Sequence, residues 1–433
     1  MRNLSLQEHI QNFAWEPILP DFWVSILERN FRVAILAPPL DTVPSKKGNA
    51  IYSLIETLGE KLPFETVVLA NGSSPHKPYP CPISDRILYY HGQYQPRKID
   101  KLLPYRVKKH LFGMAALHMR PYARSAAQVC NLLDVNLLII EDIPGYVPLI
   151  DNQLQSNTKL ILHQHINGPT GTPKFHWKNI QKHLDHIIFV AQQTADECMS
   201  VHGPMTVPYS VIYNGVDLEQ YNPEGFQNKA KVIRKNQGIK DDDQVLLYVG
   251  RITPHKGILQ AIQAFNQCNL PKVHFVIVGH LSISQFTTED FLRIIKFEAS
   301  KNPNVHLVGG VRQDIMPVYY AVADTVIVPT IGDEGLPKVI TEALAMGKPV
   351  VTSQRGGSWE LLTEGQNRWQ ISDPSNVDDM AGCIQNVFDH PELIKNYQKN
   401  VLNSDRPKMS EDFMIGSFTS LIQKVLEKTE NNA

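Results

Sequence analysis

Short runs of apolar residues recur along the chain, each followed by a loop and then by helical spacing. Arg32–Ala37 (RVAILA) runs into the loop PPLDTVPSKKGNA, after which Ile51, Leu54, Ile55 and Leu58 fall three and four residues apart. That pattern predicts a buried strand, a loop and an amphipathic helix. Thr66–Ala70, Leu137–Ile140, Leu160–His163 and Ile187–Val190 read as further strands, the last preceding a helix over 193–202. Continuous apolar runs, unlike alternating ones, belong to strands covered on both faces, as in parallel sheets. The pattern restarts with Val245–Val249, His274–Val278, Val305–Val308, Thr325–Val328 and Pro349–Thr352. The expected fold is α/β, with two Rossmann-like doubly wound domains facing across a cleft.

The expected division is 1–217 for an N-terminal domain, 218–243 for a polar, turn-rich linker, and 244–408 for a C-terminal domain. Residues 409–433 are expected to form a helix that packs back across the domains, with Phe413, Phe418, Leu421, Ile422 and Val425 on its apolar spacing. Residues 1–30 read as an irregular lead-in. A length of 433 residues fits this division, since one core seldom grows beyond roughly 250–300 residues.

Composition narrows the function. A net charge of −1 makes no electrostatic case for nucleic acid. Five scattered cysteines without a CxxC argue against a disulfide framework or zinc site and for a reducing compartment. The N-terminus lacks the apolar core of a signal peptide, and no run approaches the roughly 20 apolar residues of a spanning helix. The expected location is cytoplasmic, at most peripheral to the inner face of a membrane. Residues 97–124 supply the reason for that clause: eight Lys/Arg stand against Asp100, interleaved with Leu102, Leu103, Val107, Leu111, Phe112 and Leu117. Such a stretch suits either an anionic membrane surface or a surface helix whose stems cover core.

Two segments carry the candidate chemistry. After the run VLLYV come Arg251 and Lys256, flanking a turn that leads into a helix. A helix start favours anions, and a guanidinium fork with an ammonium point charge suits a diphosphate. The spacing is not that of a GxxxxGK[ST] loop, so nucleoside triphosphate hydrolysis is not indicated. The second segment is Asp333–Lys348 (DEGLPKVITEALAMGK). Pro337 suits the start of a helix and Gly347 its end, which leaves Glu334 in the preceding loop and Glu342 two turns along, roughly 12 Å further at 1.5 Å per residue. Two carboxylates so far apart cannot share a proton, but they can grip different parts of one extended ligand. Glu141 and Asp142 follow the LLII strand toward the same cleft, where acceptor contact and turn-making are both open.

EGLPKVITEALAMGKPVV resembles the E-x7-E signature of the family-4 retaining glycosyltransferases, which have the GT-B fold. VLLYVGRITPHKG resembles that family's GR-x4-KG loop, SVIYNGVDLEQYNP its NGVD motif, and VHLVGGVRQDIMPVYYAVADTVIVP its base-binding unit. The resemblance implies a nucleoside-diphosphate sugar as donor substrate, UDP- first and GDP- second, with no metal or other cofactor. It implies that Arg251 and Lys256 neutralise the diphosphate, Glu342 holds the ribose and Glu334 contacts the sugar. Backbone at Gly335, Leu336, Lys338 and Val339 would hold sugar and phosphate, and backbone at Val311 and Arg312 would read the base. KLILHQHINGP resembles the strand that ends in the family's active-site histidine, with His165 fitting the frame better than His163. Gly48 matches one glycine of the N-terminal glycine loop, while Lys47 and Tyr52 depart from that loop's pattern. The implied acceptor is a hydroxyl of a glycan, a lipid-linked or another glycoconjugate molecule. The contrasting reading is a non-catalytic coat or sugar-nucleotide-binding protein on the same fold.

Overall fold

The computed structural model describes residues 32–39, 43, 50–71, 87–92, 120–155, 157–165, 171–281, 287–332, 334–363, 365 and 368–430. Gly48, Lys47, residues 1–30 and most of the basic 97–124 segment lie outside the described residues. Thirteen strands are described. The first sheet holds β1 (Arg32–Leu36), β2 (Glu65–Asn71), β3 (Ile87–Gly92), β4 (Leu137–Glu141), β5 (Lys159–Gln164), β6 (His186–Phe189) and β7 (Tyr209–Val211). The second holds β8 (Gln244–Val249), β9 (Val273–Val278), β10 (Val305–Gly309), β11 (Thr325–Val328), β12 (Val350–Ser353) and β13 (Arg368–Ile371).

Their orders are β3-β2-β1-β4-β5-β6-β7 and β10-β9-β8-β11-β12-β13, and every pairing is parallel. Both are doubly wound, with the order reversing between β1 and β4 and again between β8 and β11. The crevice at such a reversal, beyond the carboxyl ends of the strands, is where open α/β sheets bind ligands. The loops that follow β8 and β11 are the ones that carry Arg251, Lys256 and Glu334.

Helices cover both faces of each sheet because the strand residues are buried on both sides. In the second domain Ile258, Ile262 and Phe265 pack on one face, and Ile340, Ala343 and Leu344 on the other. The segment 218–243, expected as a polar linker, contains a helix. Gln227–Asn236 is a helix whose Ala230 joins Ile239, Val245 and Tyr320 in the core.

The chain crosses between domains twice, side by side. Val216 donates to the Met409 carbonyl at 2.8 Å, and Glu411 donates back to the Val216 carbonyl at 3.0 Å. After the second crossing the helix Glu411–Glu430 returns to the first domain. Met414, Phe418, Leu421, Ile422 and Val425 pack there against Val33, Ile35, Ile139 and Ile161. Phe413, expected on that apolar face, is 60% exposed, and its neighbours Met414 and Ile415 are buried instead.

Candidate functional site

The loop after β8 turns back tightly before its helix. Gly257 sits there in the left-handed region at φ +69, and a Cβ would collide with the Pro329 carbonyl at the end of β11. Only glycine satisfies both demands. That approach brings the loops after β8 and β11 together, so Lys256 Nζ pairs with Glu334 Oε2. Both side chains are largely buried. The two residues are distant in sequence, and the order reversal of the sheet is what joins them. Arg251, beyond β8 on the same loop, is exposed.

Lys338–Ala345 is a helix with Pro337 at its N-cap and no side chain capping its first amides. Free N–H groups at a helix start favour an anion. Glu342 lies within that helix and is 7% exposed. Its Oε2 accepts from the Tyr320 hydroxyl at 2.7 Å. Tyr221 stands with its ring 6.0 Å from that of Tyr320. Burial and the Glu342 carboxylate raise the pKa of both phenols, so both stay protonated as donors. Neither tyrosine was singled out from sequence; the apolar surroundings of VYYAVAD hide Tyr320 as a core residue. Val311 is half-buried and Arg312 exposed, with the Arg312 guanidinium tied to Asp314 at 2.8 Å.

The first domain meets this site through His165. A Cβ on Gly335 would collide with the His165 carbonyl oxygen, so the glycine allows the two domains to touch. Gly357 donates to the Gly335 carbonyl at 2.7 Å and itself packs on Ala191 of the first domain. Beside it the Glu360 carboxylate accepts from the amides of Gln192 and Gln193 at 2.7 and 2.6 Å and from the Tyr213 hydroxyl at 3.0 Å. A carboxylate of one domain thus caps the helix Gln192–His202 of the other, a favourable charge at a helix start. Nothing local in GGSWE announces this role.

His163 and His165 are brought together around Glu141, all three buried. Strands β4 and β5 pair with Glu141 opposite His163. Side chains two residues apart share a face, so His165 falls on the same side. His165 Nε2 donates to Glu141 Oε2 at 2.7 Å, and His163 Nδ1 lies 3.0 Å from the same oxygen. Glu141 is 1% exposed and is not presented to an acceptor. Burial would raise its pKa, but His163 and His165 hold it down to about 2. Burial alone would lower the His165 pKa; the bond to Glu141 reverses that and raises it, whereas burial leaves His163 lowered. Asp142 makes the turn: its φ is +59, rare for a residue with a side chain, and its Oδ1 accepts from the His165 amide at 2.9 Å.

A cavity of about 840 Å³ lies elsewhere, at the crossing between domains, where Asp217, Glu219, Glu411 and Asp412 outnumber Lys61 and Arg406. Its acidic lining does not suit a diphosphate. Among the described residues no helix is long and apolar enough to cross a membrane.

The architecture is the GT-B fold, two parallel-sheet α/β domains enclosing a cleft. Residues 229–403 match the family described as glycosyl transferases group 1. The chain is 32% identical over 183 residues to lipopolysaccharide 1,2-N-acetylglucosaminetransferase of Salmonella typhimurium, covering 41% of this chain and 47% of that protein. It thus spans about half the length of that curated relative. Its fold is similar to sucrose-phosphate synthase from Thermosynechococcus elongatus, with a TM-score of 0.74 at 18% identity over 92% of this chain and 100% of the other. It is also similar to the Anabaena protein HepE in complex with UDP-glucose, with a TM-score of 0.69 at 19% identity over 92% and 100%.

Proposed function

We propose that the protein is a family-4 retaining glycosyltransferase that needs no metal. It moves a sugar from a nucleoside-diphosphate sugar, UDP- before GDP-, to a hydroxyl of a glycan, lipid-linked or other glycoconjugate acceptor of the cell envelope. The observation that carries this reading is the meeting of Lys256 with Glu334, beside an uncapped helix start and against His165 of the opposite domain. A relative named as an N-acetylglucosaminetransferase and a structural neighbour crystallised with UDP-glucose support it.

In this reading the bond from the sugar's anomeric carbon to the β-phosphate oxygen breaks as the acceptor oxygen attaches from the same face. The acceptor's proton passes to the departing phosphate. Negative charge grows on that phosphate, and fixed positive groups aimed at it supply the largest catalytic contribution. Arg251, Lys256 and the amides at Lys338 and Val339 fill that role. Without donor, Lys256 and Glu334 neutralise each other; with donor, Lys256 turns to phosphate and Glu334 accepts from sugar hydroxyls. Gly335 and Leu336 offer backbone to the sugar, Val311 and Arg312 to the base, and Gly48 is a further donor contact. Glu342 accepts from the ribose hydroxyls with the oxygen that Tyr320 does not occupy. The basic segment 97–124 brings the acceptor side to an anionic membrane surface.

Glu342→Ala is expected to weaken nucleoside diphosphate binding more than tenfold by calorimetry. Because it also leaves the Tyr320 hydroxyl buried and unpaired, thermal unfolding should show a loss of about 1–3 kcal/mol. Unchanged affinity would remove Glu342 from the ribose site. The reading as a whole is tested by incubating the protein with UDP-, GDP- and ADP-sugars and envelope lipid extract. Release of one diphosphate with sugar incorporation is expected; folded protein that neither binds nor turns over any donor overturns it.

A further inference from the structure

We propose that Glu141 is a positioning residue for His165: it fixes the imidazole with Nε2–H turned inward and Nδ1 turned to the sugar site. The proposal rests on the glycosyltransferase reading for what Nδ1 meets, but on the geometry alone for the fixing.

One carboxylate oxygen lies 2.7 Å from His165 Nε2 and 3.0 Å from His163 Nδ1. The contact to His165 is a charge-assisted hydrogen bond, whereas that to His163 is a close approach without hydrogen-bond geometry. The other oxygen of Glu141 is buried with no hydrogen-bond partner, and so are both ring nitrogens of His163. Buried polar atoms without partners are uncommon, and they cluster where function holds a group in place. The rings of His163 and His165 lie 4.1 Å apart, and Phe418 from the terminal helix closes the far side of His163 at 5.2 Å. His163 is fully buried, so its ring cannot swing without moving core, and the bond to Glu141 ties the His165 ring. With Glu141 ionised, its oxygen can only accept, so the tautomer of His165 facing it must carry hydrogen on Nε2. That leaves Nδ1 as the ring nitrogen available to a ligand hydroxyl.

The charged and titratable groups bearing on His165 among the described residues are Glu141 and Asp142 at the end of β4 and His163 on its own strand. The opposite domain presents the Gly335 backbone. Glu141 raises the pKa of His165, so its removal moves that ionisation to lower pH.

The experiment compares the full chain with Glu141→Gln, which keeps shape and removes charge. Imidazole nitrogen chemical shifts, which need no substrate, should show His165 losing its Nε2–H tautomer preference, while nucleoside diphosphate affinity stays unchanged. The kcat should fall at least tenfold with little change in KM for donor, and the pH–rate limb that reports His165 should move to lower pH. Glu141→Asp should restore part of both. If Glu141→Gln does not fold, the same shifts followed across pH in the unaltered protein decide: His165 must hold Nε2–H above its ionisation. An Nδ1–H tautomer there, or unmoved shifts and pH profile in Glu141→Gln, overturns the proposal. A protein with the predicted shifts but no transferase activity leaves the geometry standing and overturns the functional reading instead.

Discussion

Replacing Lys256 by alanine is expected to lower turnover about 10²- to 10³-fold, the scale for loss of one preorganised charge at a developing oxyanion. Three features make this the largest single effect. The ammonium is mostly buried, so solvent does not screen it as it would a surface lysine. It reaches the site from a loop whose backbone Gly257 holds against the end of β11, so only the side chain has to turn when donor arrives. The substitution also strips Glu334 of its partner, leaving a largely buried carboxylate uncompensated beside the proposed phosphate position. Steady-state rates at saturating donor are the readout. Turnover within a few-fold of the parent protein would show that Lys256 does not meet the leaving group.

Gly335→Ala is expected to lower kcat/KM about 10²-fold while leaving nucleoside diphosphate binding intact. The backbone of Gly335 is not in the left-handed region, so an alanine is sterically acceptable to its own loop. What it cannot do is coexist with the His165 carbonyl, because the new methyl group would occupy the same space. The domains must part, which also strains the Glu360 cap on Gln192 and Gln193. A displacement of about 1 Å between reacting groups is enough for a loss of that size. Small-angle scattering should report a more open molecule. Unimpaired turnover would show that the contact between Gly335 and His165 is not the catalytic arrangement.

These two residues differ in how far sequence exposes them. Lys256 and Glu334 stand in local motifs next to strand ends, so their chemistry is readable without knowing the fold. The strands around them are readable too, because RVAIL, LLII and VLLYV are continuous apolar runs. β3 (ILYYHG), β7 (YSV) and β13 (RWQI) escaped notice, since each lies at a sheet edge and carries polar or mixed residues. The helix Gln227–Asn236 buries only Ala230, so it leaves no apolar period in the sequence. The roles of Glu141, Glu360 and Gly335 were not legible for another reason. Each depends on a partner from a different strand or domain: the β4–β5 register for Glu141, the closed cleft for the other two. The proposed donor side is drawn from one domain, so local spacing alone can suggest it. The histidine side is written across strands.

The central claim is that the cleft of the second domain is a nucleoside diphosphate site, and calorimetric titration of the folded chain with UDP, GDP and ADP tests it most directly. The account predicts saturable binding of one of them at one site per chain, weakened in Lys256→Ala and in Glu342→Ala. Failure of all three to bind, or binding untouched by both substitutions, would contradict it.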